Sequence, residues 1–348
     1  MSEKAKSVVT AAWLLFLVSI PLWLNNAYLL HVLIVTGIFI IAAMSLNLLL
    51  GYAGQLSLGH VAFFGIGAYA SALVSLGFKV TLWPQWALTV EPKPVWLAML
   101  TGMLAAGASG WFIGRIAFKV RGAYFVIVSI SFAEVVRLVA VNWVELTQGP
   151  MALNNIPPVE AFGFVFYRKP ANYWLVLGVA IASYVLIRRL VHSRAGRAMV
   201  ALAENEALAT SVGIDVTRYL VLAAVVSATM AGAAGALYAH YVRIVDPDVF
   251  LFIYTVTMVI MVITGGKGTL AGPIVGGLIF GFLPVIVRPI AAPAVQWILY
   301  GGLMIAIVFV LPQGIVPALE RALAHWTRRK DRPAAPALAA HPKSGERP

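Results

Sequence analysis

The chain has no cysteine and very little charge: of its 348 residues only 11% are Asp, Glu, Lys or Arg. Without cysteine there is no disulfide framework, no thiol nucleophile and no Cys-ligated zinc or iron–sulfur centre. The shortage of charge excludes more. A soluble domain carries roughly 25% charged residues, and a chain with less than half of that cannot cover a surface facing water. Acids are the scarcest, 13 against 25 Lys plus Arg, which leaves a net charge of +12. What the sequence has instead is apolar length: 61% of its residues are hydrophobic, in runs too long and unbroken for the short alternating strands of an outer-membrane barrel. A helix crosses the roughly 30 Å hydrocarbon core in about 20 residues. The composition therefore defines an all-α, polytopic transmembrane bundle.

Ten apolar runs are legible, at 8–24, 27–49, 61–78, 95–118, 122–143, 172–190, 217–240, 250–264, 271–289 and 294–311. The first follows Lys4 and Lys6 but lacks a small-residue cleavage site, and it reads as an uncleaved first helix. The run at 250–264 is the shortest, and Gly276, Gly277, Gly281 and Pro284 break the one at 271–289. Linkers 79–94, 144–171 and 191–216 are long enough to hold structure of their own. The reading divides the chain into a transmembrane domain, 1–320, and a cytoplasmic, basic, disordered tail, 321–348.

The positive charge locates the sides. With a cytoplasmic N-terminus, eighteen Lys and Arg residues fall on the cytoplasmic side and six on the other. This positive-inside bias predicts ten spans with both termini in the cytoplasm. The basic clusters at 188–197 and 328–332 then serve as topology determinants beside anionic headgroups, and nucleic-acid binding is not called for.

Small residues recur at fourfold spacing, the pattern that lets helices approach closely in lipid. Gly102, Ala106, Gly110 and Gly114 form one stripe. Ala228, Gly232 and Ala236 form another, beside Ala231, Gly235 and Ala239, and Gly277 and Gly281 a third. Two uncharged or nearly uncharged glycine-rich breaks, 51–60 and 264–273, fall on the same side of the membrane. Irregular backbone near a bilayer is tolerated where it is buried in protein or lines a watery cavity, so these breaks are either a pair of tight glycine-rich turns or the lining of such a cavity.

Most familiar chemistries fail. Lys267 sits in a glycine-rich loop, but a phosphate-binding loop would need glycine at 261 and Ser or Thr at 268, where Met261 and Gly268 stand. The chain carries no recognisable ATPase. The six histidines lack metal-ligand spacing, and there is no nucleophile elbow or paired-carboxylate site, so no catalytic or metal-binding residue is assigned. Glu134 and Arg137 lie three residues apart on one helix face inside the fifth run. Intramembrane charges point to function, but this pair also fits a structural clamp. A lone paired glutamate is thin support for an ion-coupled secondary transporter, the competing class.

The segment 194–218, RAGRAMVALAENEALATSVGIDVTR, is too polar to span and reads as one helix stopped at Gly213. Its central acids would be repelled by anionic lipid, which favours a protein partner. Here the residues become specific. Glu206-Ala207-Leu208-Ala209 followed by Gly213-Ile214 resembles the Glu-Ala-Ala…Gly signature of ABC importer permeases. The stretches MSLNLLLGYAGQLSLGHVAFFGIGAYASALV at 44–74, RGAYFVIVSISFAEVVRLVAVNWVELTQGP at 121–150 and GGKGTLAGPIVGG at 265–277 extend the likeness. Together they resemble the LivM-type branched-chain amino acid ABC transporter permease family over residues 44–277. Departures from the family pattern fall at Ala123, Ser131, Gln148, Met151 and Ala152, and bear on which substrate is taken.

The resemblance implies a permease subunit of an ATP-driven importer in a bacterial or archaeal cytoplasmic membrane, for branched-chain amino acids or for urea, short amides or aromatic acids. It implies a second related permease, two ATPase subunits that bind ATP and Mg, and a periplasmic or lipid-anchored binding protein. No cofactor is implied for this chain. It further implies that the 194–213 helix, with Arg197, Glu204, Glu206, Ala207, Ala209 and Gly213, couples to an ATPase, and that Gly54, Gln55, Ser57, Gly59, His60, Glu134, Arg137, Gly265, Gly266 and Gly268 contribute to the translocation path or its gate where the two permeases meet.

Overall fold

The computed structural model describes residues 15–24, 26–83, 86–118, 123–161, 164–287 and 293–330. Within them, nine helices coincide with nine of the ten apolar runs. They are α1 Ala27–Asn47, α2 Val61–Leu76, α3 Val95–Ala117, α4 Ala123–Asn142, α6 Lys169–His192, α9 Val216–Val242, α10 Phe252–Gly265, α11 Gly272–Val287 and α12 Pro293–Val310. A short α5, Val144–Thr147, and the helices α7 Arg194–Glu204 and α8 Glu206–Ser211 lie between them, and α13 Ile315–Lys330 follows. Of the first run, residues 15–23 are helical, and 8–14 lie outside the described residues. Helices α1, α3, α4, α6 and α9 are long and apolar enough to cross a membrane, whereas α2, α10 and α11 are apolar but shorter.

The linkers do hold structure. Residues 79–94 contribute most of an antiparallel hairpin, β1 Phe78–Trp83 with β2 Trp86–Val90. The 144–171 segment contains α5, a 3-10 turn at Gly149–Met151 and a small hairpin, β3 Glu160–Ala161 with β4 Phe164–Val165. It is tied to the end of α9 by reciprocal backbone bonds, Leu153 N to Val245 O at 2.8 Å and Val245 N to Leu153 O at 3.0 Å. Buried His240 lies between this segment and α2, with Nδ1 2.7 Å from Pro157 O and Nε2 2.8 Å from Ser71 Oγ.

Two expectations need correction. Gly276, Gly277, Gly281 and Pro284 do not interrupt the ninth run, because α11 continues through Pro284 to Val287. These glycines serve contact: Gly276 abuts the Met261 carbonyl of α10, Gly277 abuts Ile40 and Gly281 abuts Thr36 of α1. The basic segment read as a disordered tail from 321 begins as helix, since α13 runs to Lys330. Residues 331–348 lie outside the described residues.

Helix α9 is the axis of the bundle: 78% of its most apolar window is buried, against 22% for α4 and 17% for α6. Its small-residue stripes explain this. Gly232 lies against Gly67 of α2 and Ala106 of α3, while Gly102 of α3 lies against the Gly67 carbonyl. Gly110 meets Ala228, and Gly235 meets the Phe64 carbonyl. Without hydrophobic expulsion to drive association in lipid, such backbone approach supplies the dispersion contacts that hold spans together.

Gly235 offers a test. A Cβ there would overlap the Phe64 carbonyl oxygen, a backbone atom that cannot step aside. Gly235→Ala should destabilise the protein by about 1–3 kcal/mol. Gly178→Ala on α6 meets nothing within 4 Å and should be neutral or stabilise by about 0.5–1 kcal/mol through helix propensity. Thermal denaturation in detergent, comparing the two variants, reads the difference.

Candidate coupling and translocation site

At one end of the bundle the two glycine-rich loops meet. Helix α1 does not stop cleanly at Asn47 but widens into a π-turn, Leu48–Tyr52. Asn47, only 1% exposed, then spends its side chain across a long sequence gap. Its Oδ1 accepts from Gly268 N at 2.9 Å, and its Nδ2 donates to Thr269 O at 2.8 Å. The bonds bring Gly51 against the Gly268 backbone, where a Cβ on either partner would crowd the other. Gly268 adopts φ +74°, and Gly266, at φ +120°, packs on Pro317 of α13. Gly265 lies against the Gly272 carbonyl. The sequence candidates Gly265, Gly266 and Gly268 thus form one tight turn clasped to the end of α1.

The 51–60 loop makes two further contacts. Gly54, at φ +69°, packs near Ala203 of α7, where a Cβ would stand 3.0 Å from the Ala203 Cβ. Gly59 lies on the Ser129 carbonyl of α4, and Ser129 Oγ accepts from Leu58 N at 3.2 Å and Gly59 N at 3.3 Å. The loop therefore bridges the polar segment α7–α8 to the span that carries Glu134 and Arg137. Within it, Gly54 is exposed and Gln55 half-buried, whereas Ser57, Gly59 and His60 are buried. His60 has no exposed surface. Its Nε2 lies 2.8 Å from Ser45 Oγ, and Ser227 of α9 donates to the Ser45 carbonyl.

The polar segment differs from expectation. It is two helices, not one, because Asn205 leaves the helical region at φ −155° and ψ 100° and caps α8 by accepting from Leu208 N at 3.0 Å. Ser193 caps α7 and Asp215 caps α9 in the same way. Arg197, Glu204, Glu206, Ala207 and Ala209 are thus split over α7 and α8, with Arg197 donating to His192 O at 3.0 Å. Gly213 does end the segment, at φ +87°, and Ile214 N bonds back to Ala209 O at 3.1 Å in a left-handed C-cap. The apolar residues of α7 turn inward, Met199 and Leu202 being buried, but Leu208 and Val212 are 64% and 71% exposed.

Glu134 and Arg137 occupy the twelfth and fifteenth positions of α4, a helix of 20 residues. They do pair. Arg137 Nε donates to Oε1 at 3.1 Å and Oε2 at 3.0 Å, and Nη2 donates to Oε1 at 2.7 Å. The pair is not buried: Glu134 is 52% and Arg137 27% exposed. A charge facing lipid at mid-depth costs about 2.5–3.5 kcal/mol on insertion scales. Exposed Ser131 lies one turn from Glu134, and the exposed apolar Ile127, Ile130 and Leu138 share the Glu134 face of α4 by helical spacing. Sequence reasoning missed Asn47, Ser129, Ala203 and the outward Leu208 and Val212. A lone Asn closing an apolar run, and an Asn amid Glu204 and Glu206, were the available signals.

Helical bundle, small-residue packing and membrane-depth breaks define a polytopic helical membrane protein. The sequence profile of the family described as branched-chain amino acid transport system / permease component matches residues 28–308, and the chain belongs to that family. It is 30% identical over 305 residues to the high-affinity branched-chain amino acid transport system permease protein LivM of Salmonella typhimurium, spanning 81% of this chain and 68% of the relative. It is 27% identical over 300 residues to LivH of Escherichia coli, spanning 81% and 93%. A probable branched-chain amino acid transport permease protein LivM from Methanocaldococcus jannaschii is 24% identical, spanning 81% and 91%. No solved structure matches.

The Asn47 clasp is testable. Asn47→Ala removes both bonds and leaves the half-buried Gly268 N–H without its acceptor, which should cost about 1–3 kcal/mol. Limited proteolysis should then cut within 264–273 sooner than in the parent protein, an effect absent in Asn154→Ala, whose side chain donates to Met151 O and Ala152 O within its own loop.

Proposed function

We propose that this chain is the membrane-spanning permease subunit of an ATP-driven ABC importer for branched-chain amino acids or similar small solutes. It forms the translocation path with a second, related permease, and it takes solute from a periplasmic or lipid-anchored binding protein. ATP and Mg act on two separate ATPase subunits, so the chain is a transport subunit and not an enzyme. The membrane is the cytoplasmic one, with both termini and the end bearing α7–α8 in the cytoplasm. Family membership and the names of relatives from both permease types support the pairing. The positive-inside bias supports the orientation.

The observation that carries the coupling role is α8. A short polar helix, capped at both ends, presents Leu208 and Val212 outward at the end of the bundle where the loops converge. Covering two such side chains is worth about 1.5–3 kcal/mol each, and their spacing of four places them on one face. A groove on an ATPase suits this better than anionic lipid, which the neighbouring Glu204 and Glu206 would repel.

In this reading α8 is pushed or released by the nucleotide cycle. The contact of Gly54 with Ala203 passes that motion to the 51–60 loop, and the Gly59–Ser129 contact passes it to α4.

Co-expression with the second permease and the ATPases tests this. Leu208→Asp combined with Val212→Asp should leave membrane insertion and permease pairing intact while ATPase co-purification falls at least tenfold. Glu206→Lys and Gly213→Pro should act in the same direction, the latter because proline fits neither φ +87° nor the N–H bond of Gly213 to Thr210 O. Normal recovery of the ATPases with the double aspartate variant would refute the coupling role.

A further inference from the structure

We infer that the Glu134–Arg137 pair is a recognition site for the zwitterionic backbone of an amino acid in transit, a role that rests on the proposed import function and assigns its selectivity step. Two observations converge on it. The pair stands in the middle of a membrane-length helix, yet more than half of the Glu134 side chain is exposed. On the same exposed face Ser131 stands one turn from Glu134, with the apolar Ile127, Ile130 and Leu138 around it. An exposed ion pair at that depth is costly against acyl chains and suits a watery cavity. Second, α4 is the span against which the 51–60 loop rests, through Gly59 and Ser129.

The chemistry matches on both charges. An α-amino acid carries an ammonium and a carboxylate on one carbon. The ammonium donates to the Glu134 carboxylate, and the guanidinium fork of Arg137 takes the carboxylate in the paired geometry Arg favours. Binding exchanges one ion pair for two, so neither protein charge is left bare when the solute arrives or leaves. A solute with one charge satisfies one partner and strands the other. Selection by the pair is therefore for zwitterions, and the side chain of the solute is left to the rest of the path.

The competing role is a structural clamp covered by the second permease. Neutralising both residues separates the two, because Glu134→Gln with Arg137→Gln strands no charge and should leave a clamp's assembly and transport intact. The complete importer, in liposomes with ATP on the ATPase side and loaded binding protein on the other, is assayed for uptake of radiolabelled leucine and for ATP hydrolysis. The double variant should assemble with its partners, and leucine uptake per ATP hydrolysed should fall at least tenfold.

The chain has no cysteine, so Ser131→Cys, one turn from Glu134, gives a unique label site on it. A charged, membrane-impermeant thiol reagent should modify it in the assembled importer, and leucine with ATP should slow that modification several-fold. Parental uptake by the double variant, or no labelling of Ser131→Cys, or labelling indifferent to leucine, would each overturn the inference. Failure of the parent importer to move leucine at all would instead overturn the import function, and this inference with it.

Discussion

Everything in this bundle rests on how closely α2, α3 and α9 approach one another. In lipid the hydrophobic effect does not drive one apolar helix onto another, and what remains is dispersion and backbone proximity. Gly67, Gly102 and Gly232 meet with their backbones in contact, and Gly110, Ala228 and Gly235 extend the seam. This close core lets the peripheral helices be loose. Helix α4 keeps most of its surface uncovered, and α2, α10 and α11 are shorter than the helices of full membrane length.

The two glycine-rich loops convert packing into connection. A backbone that breaks helical geometry near a membrane must satisfy its polar groups within the protein. Asn47 does this for the 264–273 turn and Ser129 for the 51–60 loop. The cost of satisfying each break is that distant elements become linked: α1 to the second loop, α4 to the first, α7 to the first through Gly54 and Ala203. The linkage is a consequence of hydrogen-bond accounting, and it joins the polar helices at the end of the bundle to the span with the ion pair.

Much of this was legible in the sequence where the signal was local. Fourfold stripes of Gly and Ala named the α3–α9 seam, and i,i+3 spacing named the Glu134–Arg137 pair. Apolar length located nine of the helices to within a few residues. What could not be read was contact between residues far apart in sequence. Asn47 and Gly268 are separated by 221 positions, and no periodicity links them. The misreadings have one cause as well: Gly and Asn each serve two purposes. Glycines in α11 looked like helix breakers but serve approach to α1 and α10. Asn205 looked like an ordinary helix residue but is a cap that divides the segment in two.

The state of the ion pair also bears on how a path can be selective without being a trap. A site for a zwitterion built from two separated, unpaired charges would bind tightly and release slowly, because departure would strand both. Glu134 and Arg137 satisfy each other through three hydrogen bonds, so the empty state is already stable. The incoming solute gains only the difference between two sets of similar bonds, which keeps the site weak. Differential rather than absolute affinity is what passage requires: an ion of single charge meets a net penalty, while a zwitterion meets almost none. The long, flexible arginine side chain makes the exchange feasible, since its fork turns from Glu134 to a carboxylate without any movement of α4.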